Sequence, residues 1–137
     1  MDLLKKNIYA SCVSLTHTIL HDGSVIHVTT EGSFDFLKAF EMWEEIAKAC
    51  EENDCFRILG ISKLNEPIPT MDAYDHLSML QSVGINNKHR IAWVAARPEL
   101  LERLRVAETV LRNRGSINIR VFDAKKAAKR WIAEDGD

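Results

Sequence analysis

The sequence has little of what membrane, disulfide-linked or nucleic-acid-binding proteins need. Its apolar runs stop well short of the ~20 residues that cross a bilayer, so no membrane span is expected. Its three cysteines are an odd number without metal-site or redox spacing, which indicates reduced thiols in the cytoplasm. Its formal net charge of −2 lacks the basic excess of a general nucleic-acid binder. We therefore expect a cytoplasmic protein that binds no nucleic acid.

Signatures of catalysis and of cofactor binding are also missing. The sequence contains no Gly-x-Ser-x-Gly elbow, no Cys–His signature and no glycine-rich loop that would hold a phosphate. None of the expected helices carries two histidines at the i, i+4 spacing of a metal site. We therefore predict a protein that is not an enzyme and that uses no metal or cofactor.

The length and composition fit one ordinary globular domain. A chain of 137 residues that is 46% hydrophobic and 28% charged can bury a core large enough to fold alone. Repeats, low-complexity tracts and interdomain linkers are missing from the sequence. We predict a single domain over residues 1–137, with loose termini at 1–7 and 134–137.

Two alternating segments near the start predict an antiparallel hairpin. Residues 8–20 and 25–30 alternate apolar and polar side chains, as a half-buried strand does. Asp22-Gly23 lies between them and is favoured in a two-residue turn, because both turn positions need positive φ. With that turn Ile19 pairs with Ile26, which gives the hairpin one apolar face.

The rest of the chain alternates helices with strands. The strands are expected at 56–61, 89–96 and 117–122, and the helices at 33–53, 70–83, 98–115 and from 123 onward. The order β-β-α-β-α-β-α-β-α predicts an α/β fold with a mixed five-stranded sheet, in which parallel strands follow the N-terminal antiparallel hairpin. Right-handed crossovers place the connecting helices on one side, so the four helices should lie mainly on one face.

The opposite face of this sheet is expected to stay uncovered. It should carry Arg57, Arg120 and Trp93, and an uncovered sheet face suggests a homodimer that forms through it. The outer side of the last helix is basic. Its cations, together with Arg112 and Arg114, suit either an acidic partner or headgroup or a simply solvated face; they are Lys125, Lys126, Lys129 and Arg130.

The stretch from 56 to 84 places a loop and a helix start at the carboxyl edge of the sheet. Open α/β folds bind ligands and partners at this edge, where backbone N–H groups and hydroxyls are available. The candidate partner- or ligand-binding residues are Ser62, Lys63, Thr70, Asp72 and Tyr74. Thr70 also fits the simpler role of a helix N-cap.

A second interpretation places a small apolar ligand or lipid between the helices and the sheet. Several aromatic side chains either line such a pocket or belong to a packed core, and the sequence alone leaves both alternatives open. They are Phe34, Phe36, Phe40, Trp43, Tyr74 and Trp131.

The element order resembles the STAS fold of anti-sigma-factor antagonists and sulfate-transporter tails. Three stretches resemble the bacterial SpoIIAA-like branch more specifically, which is also compared with lipid-transfer domains. They are 56–61 with its proline-containing loop, 89–95, and the ending Ala107-Glu108-Thr109…Arg120-Val121-Phe122-Asp123…Trp131-Ile132. The resemblance implies a non-catalytic regulatory or protein-interaction module of a bacterial cytoplasm.

The resemblance also implies a place for phosphorylation. Anti-sigma-factor antagonists carry an Asp-Ser motif at the end of this loop, and a partner kinase phosphorylates its serine. The matching residues 67–72 lack that motif. Thr70 is the nearest hydroxyl and Ser62 the second, so these two are the candidate phosphorylation positions.

Overall fold

The structure, a computed structural model, describes residues 15–64 and 72–134, with the side chains of 72 and 73 outside that description. Of the termini expected to be loose, 1–7 and 134–137, all but Glu134 lie outside the described residues. The strands are β1 (Thr16–His21), β2 (Ile26–Gly32), β3 (Arg57–Leu64), β4 (Arg90–Val94) and β5 (Asn118–Phe122). The helices are α1 (Phe36–Asn53), α2 (Asp72–Ser82), α3 (Pro98–Gly115) and α4 (Lys125–Ala133).

The α/β fold predicted from the sequence is confirmed. The five strands form one sheet in the order β1-β2-β3-β4-β5. The first pair is antiparallel and the others are parallel. Because each parallel strand lies beside the one before it in sequence, right-handed crossovers put α1, α2 and α3 on the same side. We call this side of the sheet the main face.

The hairpin forms, but its predicted register is wrong by two residues. Ile19 pairs with Val28 and not with Ile26. A shift of two keeps every side chain on its predicted face, since the side-chain period of a strand is two. The main face of β2 is therefore apolar as expected, and Ile26 and Val28 are fully buried there.

The Asp22 side chain explains the register. Its carboxylate accepts the backbone N–H groups of Ser24 at 2.9 Å and Val25 at 2.8 Å. These bonds close a four-residue loop where the dipeptide pattern predicted a two-residue turn. The bonds from Ser24, from the His27 side chain and from Val25 also lower the pKa of Asp22 far below its ordinary value.

Helix α1 begins two residues later than its sequence signal. Ser33 is the expected N-cap, but Asp35 takes that position and accepts the backbone N–H of Lys38 at 3.2 Å. Asp54, in the left-handed conformation, ends the helix. Between these caps the helix lays its apolar side on β1 and β2 through Met42, Trp43, Ile46 and Cys50, among others.

Helix α4 lies on the second face of the sheet, opposite the other three helices. It packs Ala128 and Ile132 against Leu59, Ala92 and Val94. The expectation that this face stays uncovered is therefore wrong over β3, β4 and β5. The crossover rule does not constrain α4, because no strand follows it.

Two arginines hold the last turn of α4 on that face. Arg57 donates to the carbonyl oxygens of Ile132 at 2.6 Å and of Glu134 at 3.1 Å. Arg90 donates to the carbonyl oxygen of Trp131 at 2.8 Å, and its guanidinium lies 3.8 Å from the centre of the Trp131 ring. The carbonyl oxygen of Trp131 also accepts the backbone N–H of Glu134, and the arginines add side-chain donors to the carbonyl groups at this end of the helix.

The outer edge of β5 is closed by side chains of α3. Arg112 donates to the carbonyl oxygen of Ile119 at 3.0 Å. Glu108 accepts the N–H of Val121 at 2.8 Å, and Arg105 reaches the carbonyl oxygen of the same residue at 3.5 Å. An open strand edge is a template for pairing with another chain, so this arrangement protects the edge.

Among the described residues, no helix is both long and apolar enough to cross a membrane.

His89 is a buried imidazole at the start of β4. Its Nδ1 accepts the backbone N–H of Asn86 at 3.1 Å, which requires that Nδ1 carry no proton. The Phe56 ring packs edge-on against it, with 5.2 Å between ring centres. Burial lowers the pKa of His89 below its ordinary value, so the folded protein keeps this imidazole neutral.

This burial predicts a loss of stability in mild acid. As the pH falls below about 6.5 the unfolded chain protonates His89 while the folded chain does not, so the free energy of unfolding decreases. His89→Gln removes this contribution. The free energy of unfolding, measured with urea, should then change less between pH 7.5 and pH 5 than it does in the wild-type protein. His21→Gln, a change at an exposed histidine, should keep the wild-type slope because His89 is still present. Equal slopes for wild type and His89→Gln would contradict the account.

Candidate functional site

The carboxyl ends of β2 and β3 lie side by side and form the centre of the expected site. Their last residues pair in parallel register, Thr30 with Ser62 and Gly32 with Leu64. Helix α1 starts four residues after β2 ends, and α2 and α3 start at the same edge because each follows a parallel strand. The amino ends of three helices therefore surround this edge.

Ser62 is buried on the main face. Its Oγ accepts a hydrogen bond from Thr30 Oγ1 at 3.3 Å. This bond gives the Thr30 hydroxyl a partner in an otherwise apolar setting, as buried polar groups require. A kinase would reach Ser62 only if this part of the chain opened.

The other candidate residues are only partly described. Lys63 is exposed on the second face, beside Glu31 of β2. Thr70 and the side chain of Asp72 lie outside the described residues, and the backbone of Asp72 begins α2. Tyr74, in the first turn of α2, is 56% exposed. The structure thus places Lys63 and Tyr74 in contact with solvent and Ser62 beneath them in the core.

Two further residues of this edge are exposed although the sequence pattern placed both in the apolar stripe of the first helix. Phe36 is 42% exposed and Leu37 is 65% exposed, both in the first turn of α1. The ring of Phe34, just before α1, packs at 5.4 Å against His76 in α2. This contact brings the beginnings of the two helices together at the carboxyl edge. We call Phe36, Leu37 and Tyr74 the apolar rim.

Beneath the rim, between the main face and the three helices, lies an apolar cavity of about 60 Å³. Of the six aromatic side chains considered for a pocket, Phe34 and Trp43 line this cavity. The other four do not; they are Phe36, Phe40, Tyr74 and Trp131. The polar side chains in its wall are Thr30, Ser62, His76 and Glu108. A dry cavity of about 150 Å³ takes one benzene molecule, so the cavity as it stands is smaller than any lipid.

The floor of the cavity is an aromatic stack. The Trp93 ring lies over Gly60 of the neighbouring strand and stacks on Trp43 of α1, with 5.4 Å between ring centres. Trp93 therefore belongs to the main face, and its expected place on the uncovered face is wrong. The sequence did not reveal this, because all five residues of β4 are buried and its pattern is apolar on both sides.

The chemistry of the edge favours binding. Arg97, just before α3, donates to the carbonyl oxygen of Leu64 at 2.8 Å. Its Nε lies 3.9 Å from Oε1 of Glu99. Lys63 and the amino ends of three helices lie at the same edge, and helix amino ends attract negative charge. Within the part of the chain that the structure describes, no group of three or more His, Cys, Asp or Glu residues is placed to hold a metal ion.

Neither the scan against protein-family models nor the search of curated proteins finds a match for this chain.

The stack predicts that Gly60 is required by Trp93. A Cβ at position 60 would overlap the indole ring, so Gly60→Ala should destabilise the protein by about 1–3 kcal/mol in urea unfolding. In a Trp93→Leu background the overlap disappears, and the same substitution should cost less than about 1 kcal/mol. An equal cost in both backgrounds would show that Trp93 does not dictate the glycine.

Proposed function

We infer that this chain is a non-catalytic, STAS-like regulatory module that binds a protein partner at the carboxyl edge of its sheet, around residues 62–75. The observation that carries the proposal is the apolar rim. The described residues expose five large apolar side chains, and three of them, Phe36, Leu37 and Tyr74, lie in the first turns of α1 and α2. Apolar groups gathered at one place on a surface mark interaction sites.

The surroundings of the rim support the same function. An interface of this kind has apolar anchors at its centre and polar groups around them. Here the amino ends of the helices supply positive potential at the same edge as Leu37 and Tyr74. The partner should therefore offer an apolar pocket or groove bordered by acidic groups. Phosphorylation at Thr70 would add negative charge at this edge and weaken the binding of such a partner.

Site-specific cross-linking tests the proposal. A photoreactive p-benzoylphenylalanine at the position of Leu37 should give a discrete adduct with one partner in cells that make the protein. The matched control is Leu20, the same residue type with a similar exposure of 70%, located on β1 and away from the rim. Tyr74→Ser should abolish the Leu37 adduct, because it removes the neighbouring anchor.

Two results would contradict the proposal. One is an equal yield of adduct from the probes at Leu20 and Leu37, since the partner would then show no preference for the rim. The other is an unchanged Leu37 adduct in the Tyr74→Ser variant. Thr70→Glu and Thr70→Ala, compared in the same assay, separate regulation by charge from binding itself.

The cavity favours a second candidate function, the carriage of a small apolar ligand. It lies between the helices and the sheet and is lined almost entirely by apolar groups. Its present volume admits only a very small molecule, so a lipid-sized ligand would have to separate α1 and α2 from the sheet.

Native mass spectrometry tests the carrier function. Protein purified under mild conditions should retain an apolar ligand as extra mass if it is a carrier. Ala107→Leu, which fills the cavity wall, should remove that mass, whereas Ala127→Leu on the exposed side of α4 should not. A bare chain mass for the wild-type protein would contradict the carrier function and leave the partner-binding proposal intact.

A further inference from the structure

The charges of this chain are segregated between its two faces. The nine residues of α4 include three lysines and one arginine and no acidic residue. All four cations are exposed, because the buried side of the helix is formed by Ala128 and Ile132. Within the described residues none of the four forms an ion pair, and Glu134, just after the helix, lies beside Arg90 instead.

The opposite charge lies on α1, on the main face. Its exposed side carries five glutamates and two lysines, and the glutamates are Glu41, Glu44, Glu45, Glu51 and Glu52. Four of them, together with Lys48, border a shallow groove whose other wall is the end of α2, at Ser82 and Val83. Single ion pairs join Glu41 to Lys38, Glu45 to His17 and Glu51 to Lys88, so the negative charge is partly offset but remains in excess. The protein thus has an acidic groove on one side and a basic helix on the other.

The dimensions of the two features agree. From Lys125 to Arg130 the basic stripe extends about 8 Å along its helix, and from Glu41 to Glu51 the acidic stripe extends about 15 Å. The basic stripe therefore fits within the acidic one. Cations at i, i+4 spacing repel each other, and an acidic cover would remove that repulsion in α4.

We propose that the basic face of α4 docks in the acidic groove of α1 on a second copy of this chain. Both halves of the contact are present on every copy, but on different faces. The contact is therefore heterologous, and it extends head to tail instead of stopping at a dimer. This surface is separate from the apolar rim, so the two proposals can fail independently.

Sedimentation analysis tests the proposal. At protein concentrations of about 0.1–1 mM, where weak complexes are populated, the average mass should rise past that of a dimer. Raising NaCl from about 50 mM to about 500 mM should weaken the association at least about tenfold, because salt screens exposed charges. Arg130→Glu should abolish it, whereas Arg114→Glu, the same change at an exposed arginine of α3, should leave it intact.

A charge-swap pair excludes misfolding as the explanation. The double variants Lys129→Glu/Arg130→Glu and Glu41→Lys/Glu44→Lys should each be monomeric, because both contact faces then have the same sign. An equimolar mixture of the two should associate, since every contact again joins opposite charges. Circular dichroism confirms that each variant is folded.

Three results would overturn the proposal. They are a wild-type protein that stays monomeric at low salt, a charge-swap mixture that stays monomeric, and equal losses in Arg130→Glu and Arg114→Glu. If the wild-type protein is monomeric but binds phosphatidylglycerol vesicles in a manner that Arg130→Glu abolishes, the basic face belongs to an anionic lipid surface instead.

Discussion

The position of the Trp93 ring is the constraint on which the rest of this structure depends. The ring crosses to the neighbouring strand, where only Gly60 leaves room for it, and stacks on Trp43 of α1. One contact thus joins two strands and the first helix. It sets the distance of α1 from the sheet and forms the floor of the cavity. The amino end of α1, which carries Leu37, extends past this stack to the carboxyl edge.

Side chains close the surfaces that the backbone leaves open. Arg112 and Glu108 of α3 occupy the outer edge of β5, and Arg57 and Arg90 hold the carbonyl groups at the end of α4. The edge at β5 is therefore closed to strand pairing with another chain. Much of the second face is covered by α4, which prevents a face-to-face dimer there. The exposed apolar groups that remain are concentrated at the rim, which is why we assign binding to that edge.

Local sequence patterns predicted the order and type of the elements, because alternation in the strands and Pro98 at a helix start depend on short-range chemistry. The handedness of crossovers then placed the connecting helices on one face of the sheet. Features set by single side chains were not predictable. The Asp22 carboxylate changed the hairpin loop, and the uniformly apolar β4 gave no sign of which face Trp93 takes. The meeting of strand ends and helix starts at one edge was predictable, but Leu37 appeared only as part of an apolar helical stripe. Its exposure depends on how far α1 extends beyond the sheet.

The central claim is that the carboxyl edge is the working surface of this protein. Amide hydrogen exchange tests it most directly, by comparing the free chain with the chain bound to the partner recovered by cross-linking. We expect protection of residues 33–38, 62–64 and 72–78, since these form the rim and the strand ends beneath it. Protection confined to β1 or α4, with exchange at this edge unchanged, would contradict the account.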